Sequence, residues 1–167
     1  MNEAFPENCD ICPIIHTPGE GEQSRRLIEG EHWVASLRDD QQLLGTSFVT
    51  LREHKSSLEQ LTEDEDLEFR EIRNNLIIAQ KKAFGAEVVN ISCLMNNAYQ
   101  AENPTPHIHW HFKPRYANTV TINGERFTDL EFGSYIRQKE PHIPRPVTLR
   151  FVGDLIRREL TQAPGSQ

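Results

Sequence analysis

The chain has 167 residues, of which 37% are hydrophobic and 26% charged, which is the composition of an ordinary globular domain. Its formal net charge of -7 at pH 7 disfavours binding of long nucleic acid, because such binding requires many lysine and arginine contacts to phosphates. No apolar run approaches the roughly 18 residues of a membrane span, and the first residues lack a basic and apolar leader, so we expect no membrane partner.

Three strands are predicted in the first third of the chain. The first two, Arg26–Glu29 and Trp33–Arg38, form a pair with a turn at Gly30, and the third is Ser47–Leu51. Segment Thr17–Gln23, which precedes them, is rich in Gly, Pro and Glu and is predicted to be a loop.

A long helix is predicted from about residue 62 to residue 84. Thr62 and Glu65 match a capping box, acidic residues fill the first turn, and Gly85 is placed to end the helix. Apolar residues recur at spacings of three and four and predict one buried face: Phe69, Ile72, Leu76, Ala79 and Ala83.

The second half of the chain predicts more strands and a last helix. Val88–Met95 reads as a central strand and His107–Phe112 as another, because the first is rich in β-branched residues and the second alternates strictly. A hairpin of Thr119–Ile122 and Arg126–Thr128, the Pro-rich loop from Pro141 to Pro146 and a helix over about Val147–Leu160 follow. The order β-β-β-α-β-β predicts an α+β fold: an antiparallel sheet with one long helix and a C-terminal helix.

Three histidines alternate with apolar residues in the segment His107–Phe112. A period of two places His107, His109 and His111 on one face of the strand and the intervening apolar residues on the other. Imidazole serves as a nucleophile, a proton carrier or a metal ligand near neutral pH, so the residues alone leave these roles open. A polar sheet face without chemistry is the simpler alternative.

A cysteine pair of metal-binding spacing, Cys9-x-x-Cys12, lies near the start of the sequence. Two thiolates so spaced can bind one tetrahedral zinc ion, and His54 and His107 are candidates for the remaining ligands. Four protein ligands leave no open position for water, so the predicted zinc site is structural. The alternative is two buried thiols without metal, as expected for Cys93. An odd number of cysteines and no disulfide pattern indicate a reducing compartment, the cytoplasm.

The triple-histidine strand followed by Lys113-Pro114-Arg115 resembles the signature of the histidine triad (HIT) superfamily of nucleotide hydrolases and transferases. The cysteine pair, His54 and Asn96 stand where many bacterial members have zinc ligands and a phosphate-facing residue. The Pro-Arg ending is similar to the branch that contains diadenosine polyphosphate hydrolases. The resemblance covers roughly residues 9 to 116, so we divide the chain into a HIT-like domain at 1–116 and a C-terminal extension at 117–167, packed on the same domain.

The resemblance implies a HIT-like fold, a homodimer and a covalent mechanism on a small nucleotide. It makes His109 the nucleophile that attacks the α-phosphorus and His111 a hydrogen-bond partner of the phosphate or bridging oxygen, while His107 binds zinc. Four further residues are implied to bind substrate: Asn96, Asn103, Asp39 and Lys113.

Three positions depart from the family pattern. Thr46 replaces a histidine, Arg38 replaces an acidic residue for the ribose hydroxyls, with Asp39 next to it, and Pro104 replaces a hydroxyl used as a proton relay. The sequence therefore favours a nucleotide phosphoanhydride hydrolase over a nucleoside phosphoramidate hydrolase or nucleotidyl transferase. The other hypotheses are a nucleotide-sensing module with weak or no turnover, and a zinc hydrolase that uses all three histidines as ligands.

The extension carries basic residues that could reach a second phosphate or nucleoside. Together with Lys113 and Arg115, they could reduce repulsion between a polyphosphate and the acidic protein. A helix that only covers the sheet is the alternative, since the apolar spacing in 147–160 is what packing requires. The basic residues are Arg137, Lys139, Arg145 and Arg150.

Overall fold

A computed structural model describes residues 5–6, 8–137 and 140–162. Within these residues, one antiparallel sheet contains the five strands β1 (Arg26–Glu29), β2 (Trp33–Leu37), β3 (Ser47–Leu51), β4 (Val88–Cys93) and β5 (His109–Arg115). Their order in space is β1-β2-β3-β5-β4. The α+β class and the antiparallel sheet predicted from the sequence are therefore confirmed.

Helices cover one face of this sheet and connect its parts. The helices are α1 (Cys12–His16), α2 (Glu20–Ser24), α3 (Glu63–Phe84) and α4 (Pro146–Thr161), with short 3₁₀ helices at Leu58–Gln60 and Asn96–Gln100. Strands β6 (Val120–Ile122) and β7 (Glu125–Phe127) form a separate hairpin. Asn123 and Gly124 both have positive φ there, as a tight two-residue hairpin turn requires.

Helix α3 begins and ends where its sequence predicts. The Thr62 side chain accepts a hydrogen bond from the Glu65 N–H, the Glu65 carboxylate accepts one from the Thr62 N–H, and Gly85 ends the helix with φ 73°. Glu65 is itself buried and pairs with Lys55 at 2.6 Å. The predicted apolar face is confirmed, with Ala83 partly buried and the other four residues buried.

The hydrophobic core lies between the sheet and helices α3 and α4. Trp33 and Phe112 are fully buried there, and the Trp33 indole N–H donates to the Glu65 carbonyl oxygen at 2.8 Å. Val152 and Ile156 of α4 belong to the same buried cluster. The extension therefore shares one core with the sheet, while the domain boundary at residue 116 stays a prediction.

Three local predictions are wrong. Segment Thr17–Gln23 is not all loop, because helix α2 begins at Glu20. Strand β4 ends at Cys93 instead of Met95 and lies at the edge of the sheet instead of its centre, with Val88 44% exposed. An apolar, β-branched sequence fits an edge strand equally well when its outer face is covered or paired by another element.

A buried ion pair joins the extension to the sheet. Arg115, at the end of β5, donates to the Asp129 carboxylate at 2.6 Å and to the carbonyl oxygens of Glu131 and Ser134. Both side chains of the ion pair are less than 5% exposed. The suggestion that Arg115 offsets substrate charge is therefore corrected, because four of the five N–H donors of its buried guanidinium bind the extension.

Asp129→Asn is expected to lower the free energy of unfolding by about 3 kcal/mol at neutral pH, because it leaves the Arg115 charge buried without its partner. Burial alone raises the pKa of Asp129, but hydrogen bonds from Arg115 and the Tyr116 N–H outweigh burial and lower it below 3.8. A lowered folded-state pKa stabilises the protein above the ordinary value, and this contribution disappears as pH falls through the lowered pKa. Urea unfolding should thus show a large difference in the free energy of unfolding between wild type and Asp129→Asn at pH 7, and a smaller difference at about pH 3.

Arg145→Gln is the matched control, since Arg145 is 59% exposed in its pair with Glu125. Its effect on unfolding should be much smaller. Equal losses of unfolding free energy in Asp129→Asn and Arg145→Gln would show that the buried ion pair contributes no more to stability than the exposed one.

Among the described residues, no helix combines the length and apolar character that crossing a bilayer requires.

Candidate functional site

Four predicted metal ligands meet at the start of the triple-histidine segment. Their ligand atoms, contributed by Cys9, Cys12, His54 and His107, all lie within 4.8 Å of one another. The Cys12 Sγ is 3.4 Å from the Nδ1 atoms of both His54 and His107, and the Cys9 Sγ is 3.5 Å from His107 Nδ1. Zinc bonds of about 2.0–2.3 Å set tetrahedral ligand atoms about 3.3–3.8 Å apart, so the cluster fits a zinc ion.

The tautomer of His107 also fits a metal ligand. Its Nε2 lies 2.8 Å from the Leu51 carbonyl oxygen, which can only accept a hydrogen bond, so Nε2 carries the proton. The Nδ1 lone pair is then free to face the two cysteines. Metal-bound histidines commonly donate their other ring N–H to such a carbonyl.

Burial, and then the neighbouring Cys9, raise the pKa of the Cys12 thiol to about 12. The Cys12 thiol therefore resists ionisation by itself, whereas a divalent cation stabilises the thiolate form. This donor chemistry favours a metal over the alternative of two buried thiols.

The cluster ties the N-terminal segment to the histidine segment. Thr105 Oγ1 donates to the Asn8 carbonyl oxygen at 2.6 Å, close to the cysteine pair in sequence. His107 and Ile108 precede β5, which starts at His109 and continues to Arg115, so the predicted range His107–Phe112 is shifted. The reason is that His107 is 1% exposed and turns its ring to the cysteines and Leu51 instead of to a sheet face.

From His109 onward, the predicted alternation holds. Trp110 stacks on Phe69 of α3 with ring centroids 4.8 Å apart, and Phe112 is fully buried on the same side. His109 and His111 lie on the opposite face with centroids 5.0 Å apart. Both ring edges meet Phe48 of β3, with centroids 5.7 and 4.8 Å from it.

His109 is held in one tautomer by its own chain. Its Nδ1 lies 2.8 Å from the His107 carbonyl oxygen, so Nδ1 donates, and in the neutral ring the lone pair is on Nε2. A neutral imidazole with a fixed N–H and a free second nitrogen is suited to nucleophilic attack.

His111 is kept neutral in the absence of a ligand. Burial, and then the charges of His109 and Lys113, lower its pKa to about 4. Within the described residues, both ring nitrogens are buried without a hydrogen-bond partner. Buried polar atoms of this kind require a partner, so they mark a place where a ligand oxygen would bind.

The predicted substrate-binding residues do not all join this face. Lys113 is half-buried on β5, two residues beyond His111 and on the same face. Asn96 and Asn103 are exposed after β4, and Asp39 forms an ion pair with Arg25 at 2.6 Å. The substrate roles of these three residues stay predictions.

Phe48 and Arg38 were not selected from the sequence as site residues. The period of two in β3 places Phe48 on the face of the sheet opposite to the buried Val49 and Leu51. This alternation is the sequence signal that places Phe48 on the histidine face. Arg38 lies over the Phe48 ring, with its guanidinium carbon 5.7 Å from the centroid.

Two of the basic residues of the extension form ion pairs within the extension itself: Arg137 with Glu131 and Arg145 with Glu125. Arg145 donates to the Glu125 carboxylate at 2.7 Å and to the Asn123 carbonyl oxygen, both at the β6–β7 hairpin. Lys139 lies outside the described residues.

The family model for the HIT domain matches residues 20–118, which is more than half of the chain. The chain belongs to the HIT family. Solved HIT structures share its fold: a hypothetical histidine triad nucleotide-binding protein from Sulfolobus tokodaii matches with 21% identity and a TM-score of 0.64, covering 92% of this chain and 93% of that one. No curated protein sequence matches.

Two further structural matches come from different branches of life. A Zn-bound histidine triad family protein from Mycobacterium smegmatis shows 20% identity and a TM-score of 0.61, covering 96% of this chain and 98% of that one. The diadenosine triphosphate hydrolase of Plasmodium falciparum shows 14% identity and a TM-score of 0.58, covering 84% and 78%. At these identities the matches show the fold of this HIT protein.

Proposed function

We propose that this HIT protein hydrolyses a nucleotide phosphoanhydride, of the diadenosine polyphosphate type, through a covalent nucleotidyl-histidine at His109. The observation that carries the proposal is the 2.8 Å contact from His109 Nδ1 to the His107 carbonyl oxygen, which fixes the Nδ1–H and so places the lone pair of the neutral ring on Nε2. The structural match to a diadenosine triphosphate hydrolase agrees with this substrate class.

In the first step, His109 Nε2 donates its electron pair to the α-phosphorus, and the bond from phosphorus to the bridging oxygen breaks. The leaving phosphate keeps the bond's electrons, and the imidazole becomes a cation whose Nδ1–H still donates to the His107 carbonyl oxygen. In the second step, water attacks the phosphorus, His109 leaves as a neutral imidazole, and the water proton is released. Two displacements replace one difficult attack by water.

His111 assists the attack on phosphorus as a neutral hydrogen-bonding side chain. With a pKa of about 4, it is neutral near pH 7 and offers one N–H donor and one lone pair. An N–H aimed at a phosphate or bridging oxygen stabilises charge that grows in the transition state. The two unpartnered nitrogens of His111 support this role.

The proposed cofactor is one structural zinc ion, bound by Cys9, Cys12, His54 and His107. The ion supplies positive charge that stabilises the thiolates and fixes the His107 backbone, from which His109 takes its orientation. The mycobacterial structural neighbour is Zn-bound, which supports the identity of the metal. Free thiols in the described chain agree with a reducing, cytoplasmic setting, and we propose that location.

The zinc hydrolase alternative loses its basis. Within the described residues, the three histidines form no metal cluster of their own, because His107 faces the cysteines and His109 bonds the His107 carbonyl oxygen. A sensing module with weak or no turnover, a nucleotidyl transferase and a phosphoramidate hydrolase remain alternatives to be separated by assay.

A substrate panel separates these functions. The full-length, zinc-loaded protein is incubated with dinucleoside polyphosphates, nucleoside phosphoramidates and nucleotide sugars, and the products are resolved by chromatography. The proposal expects a nucleoside monophosphate from dinucleoside polyphosphates at the highest kcat/KM. Preference for phosphoramidates, transfer to an acceptor other than water, or ligand binding without any product would each replace it with one of the alternatives.

We propose that the protein is a homodimer paired through strand β4 and helix α3. Strand β4 has a free edge in the described structure, and Val88 is 44%, Leu94 47% and Ile78 41% exposed. An apolar free edge favours pairing with a second copy. Light scattering at micromolar concentration should give twice the chain mass, and Val88→Lys should lower it. A monomeric wild-type protein would contradict the dimer without affecting the chemistry.

A further inference from the structure

Strand register places Arg38 and Lys113 in one row across the histidine face. His111 stands opposite Phe48 on β3 and opposite Ser92 on β4. Two residues further along β5 is Lys113, which follows Phe112, the partner of Ser47, and therefore lies opposite Thr46. On the other side of Thr46, the Arg38 N–H donates to the Thr46 carbonyl oxygen at 3.0 Å. The backbones of Arg38 and Lys113 are thus about two strand spacings, or roughly 10 Å, apart.

Arg38 has no anionic partner in the described part of the chain, although two acidic residues follow it. Asp39 pairs with Arg25 at 2.6 Å. The Asp40 carboxylate accepts hydrogen bonds from the backbone N–H groups of Gln42 and His142, both at 3.0 Å. The Arg38 guanidinium instead lies over Phe48, so its N–H donors are available to a ligand.

The C-terminal extension holds the Asp40 carboxylate, so that Asp40 does not form an ion pair with Arg38. His142 donates its N–H to Asp40, and its carbonyl oxygen accepts from the Gln41 N–H at 2.8 Å. These two bonds fix the loop directly after Arg38. The sequence prediction that the extension influences substrate choice thus gains a physical route through the Asp40 carboxylate.

The electrostatic influence of Arg38 reaches the histidine face. After burial, its positive charge contributes to the lowered pKa of Lys113, which Asp40 opposes. The Arg38 and Lys113 cations repel each other beside a neutral His111, and an anion bound between them reduces that repulsion. A guanidinium binds phosphoryl oxygens with paired N–H donors, whereas it cannot accept a hydrogen bond from a neutral diol.

We propose that Arg38, with Lys113, binds a second phosphoryl group of the substrate, separate from the one that His109 attacks. The inference rests on the proposed function and narrows its substrate class. Ligands with two or more phosphoryl groups are selected over nucleoside phosphoramidates, which carry one. Arg38 is then a specificity-determining residue of this site.

The test is a binding titration with the full-length, zinc-loaded His109→Ala protein, which removes turnover from the measurement. Calorimetry compares adenosine 5′-monophosphate with two probes that carry a second phosphoryl group: adenosine 5′-triphosphate and adenosine 3′,5′-bisphosphate. Arg38→Gln is expected to weaken binding of at least one probe roughly tenfold and that of the monophosphate less than about twofold. The probe that responds tells whether the second group extends from the 5′ chain or from the ribose.

Two variants serve as controls. Arg38→Lys keeps the charge without the paired donors and should recover part of the lost affinity. Arg73→Gln removes the same charge from α3, where Arg73 donates to Asn74 and to no other residue of the described ranges, and should leave all three affinities unchanged. An equal loss for the monophosphate, or no loss for either probe, overturns the Arg38 proposal alone. Failure of every nucleotide to bind the His109→Ala protein overturns the proposed function as well.

Discussion

Replacing His109 by alanine is expected to reduce kcat by several orders of magnitude while leaving ligand affinity and folding nearly unchanged. The side chain is half-buried on the histidine face and contacts Phe48 and His111, whereas Phe112 and Ile108 of the same segment form the core. The variant lacks the nucleophile but keeps the phosphate partners. Steady-state kinetics on the preferred panel substrate, together with calorimetric binding and thermal unfolding, measures the three effects separately.

His32→Ala is the matched control, because His32 lies in the turn between β1 and β2 and has no proposed role in the reaction. It should retain nearly all activity. More than about a tenth of wild-type activity in His109→Ala would be too much for a protein without its nucleophile, and the covalent mechanism would have to be abandoned.

Removing a zinc ligand is expected to cause the largest loss of stability. Wild-type protein should contain about one zinc ion per chain, and Cys12→Ser should lose most of it, because Cys12 is fully buried and faces both histidines of the cluster. Metal binding at such a site is part of the folding free energy, so a decrease in Tm of roughly 10 °C or more is expected. Elemental analysis and thermal unfolding provide the two measurements, and Cys9→Ser should behave in the same way.

Cys93→Ser is the control for the chemistry of the substitution. Cys93 is half-buried in β4 and outside the cluster, so the variant should keep its zinc and show only a small change in Tm. Zinc-free wild-type protein prepared without chelators, or full zinc content in a Cys9, Cys12 double variant, would remove the structural metal from the account.

The reliable part of the sequence prediction depends on local patterns. Helix α3 has a capping box at Thr62, a stop at Gly85 and an unbroken apolar face, and each of these signals depends on residues only a few positions apart. The hairpin turn at Asn123 and Gly124 is equally local, since both residues tolerate positive φ. Predictions of this kind require no knowledge of distant contacts.

The errors arise from contacts between distant residues. An alternating sequence assigns His107 to the strand face, but a ring contact with cysteines almost a hundred positions away turns it elsewhere. In the same way, Arg115 belongs to a chemically suggestive run, yet Asp129 and two carbonyl oxygens of the extension use its guanidinium. The sequence also does not predict that Arg38 lacks an ion-pair partner in the described chain, because this depends on the contacts of Asp39 with Arg25 and of Asp40 with His142.

The stereochemical course at phosphorus tests the central claim most directly. A dinucleoside polyphosphate with a chiral α-thiophosphate is hydrolysed in water labelled with ¹⁸O. The configuration at phosphorus of the ¹⁸O-labelled nucleoside phosphorothioate product is then determined by NMR. Each in-line displacement inverts the phosphorus, so attack by His109 followed by attack by water predicts overall retention. Overall inversion would show a single direct attack by water and would contradict the nucleotidyl-histidine intermediate.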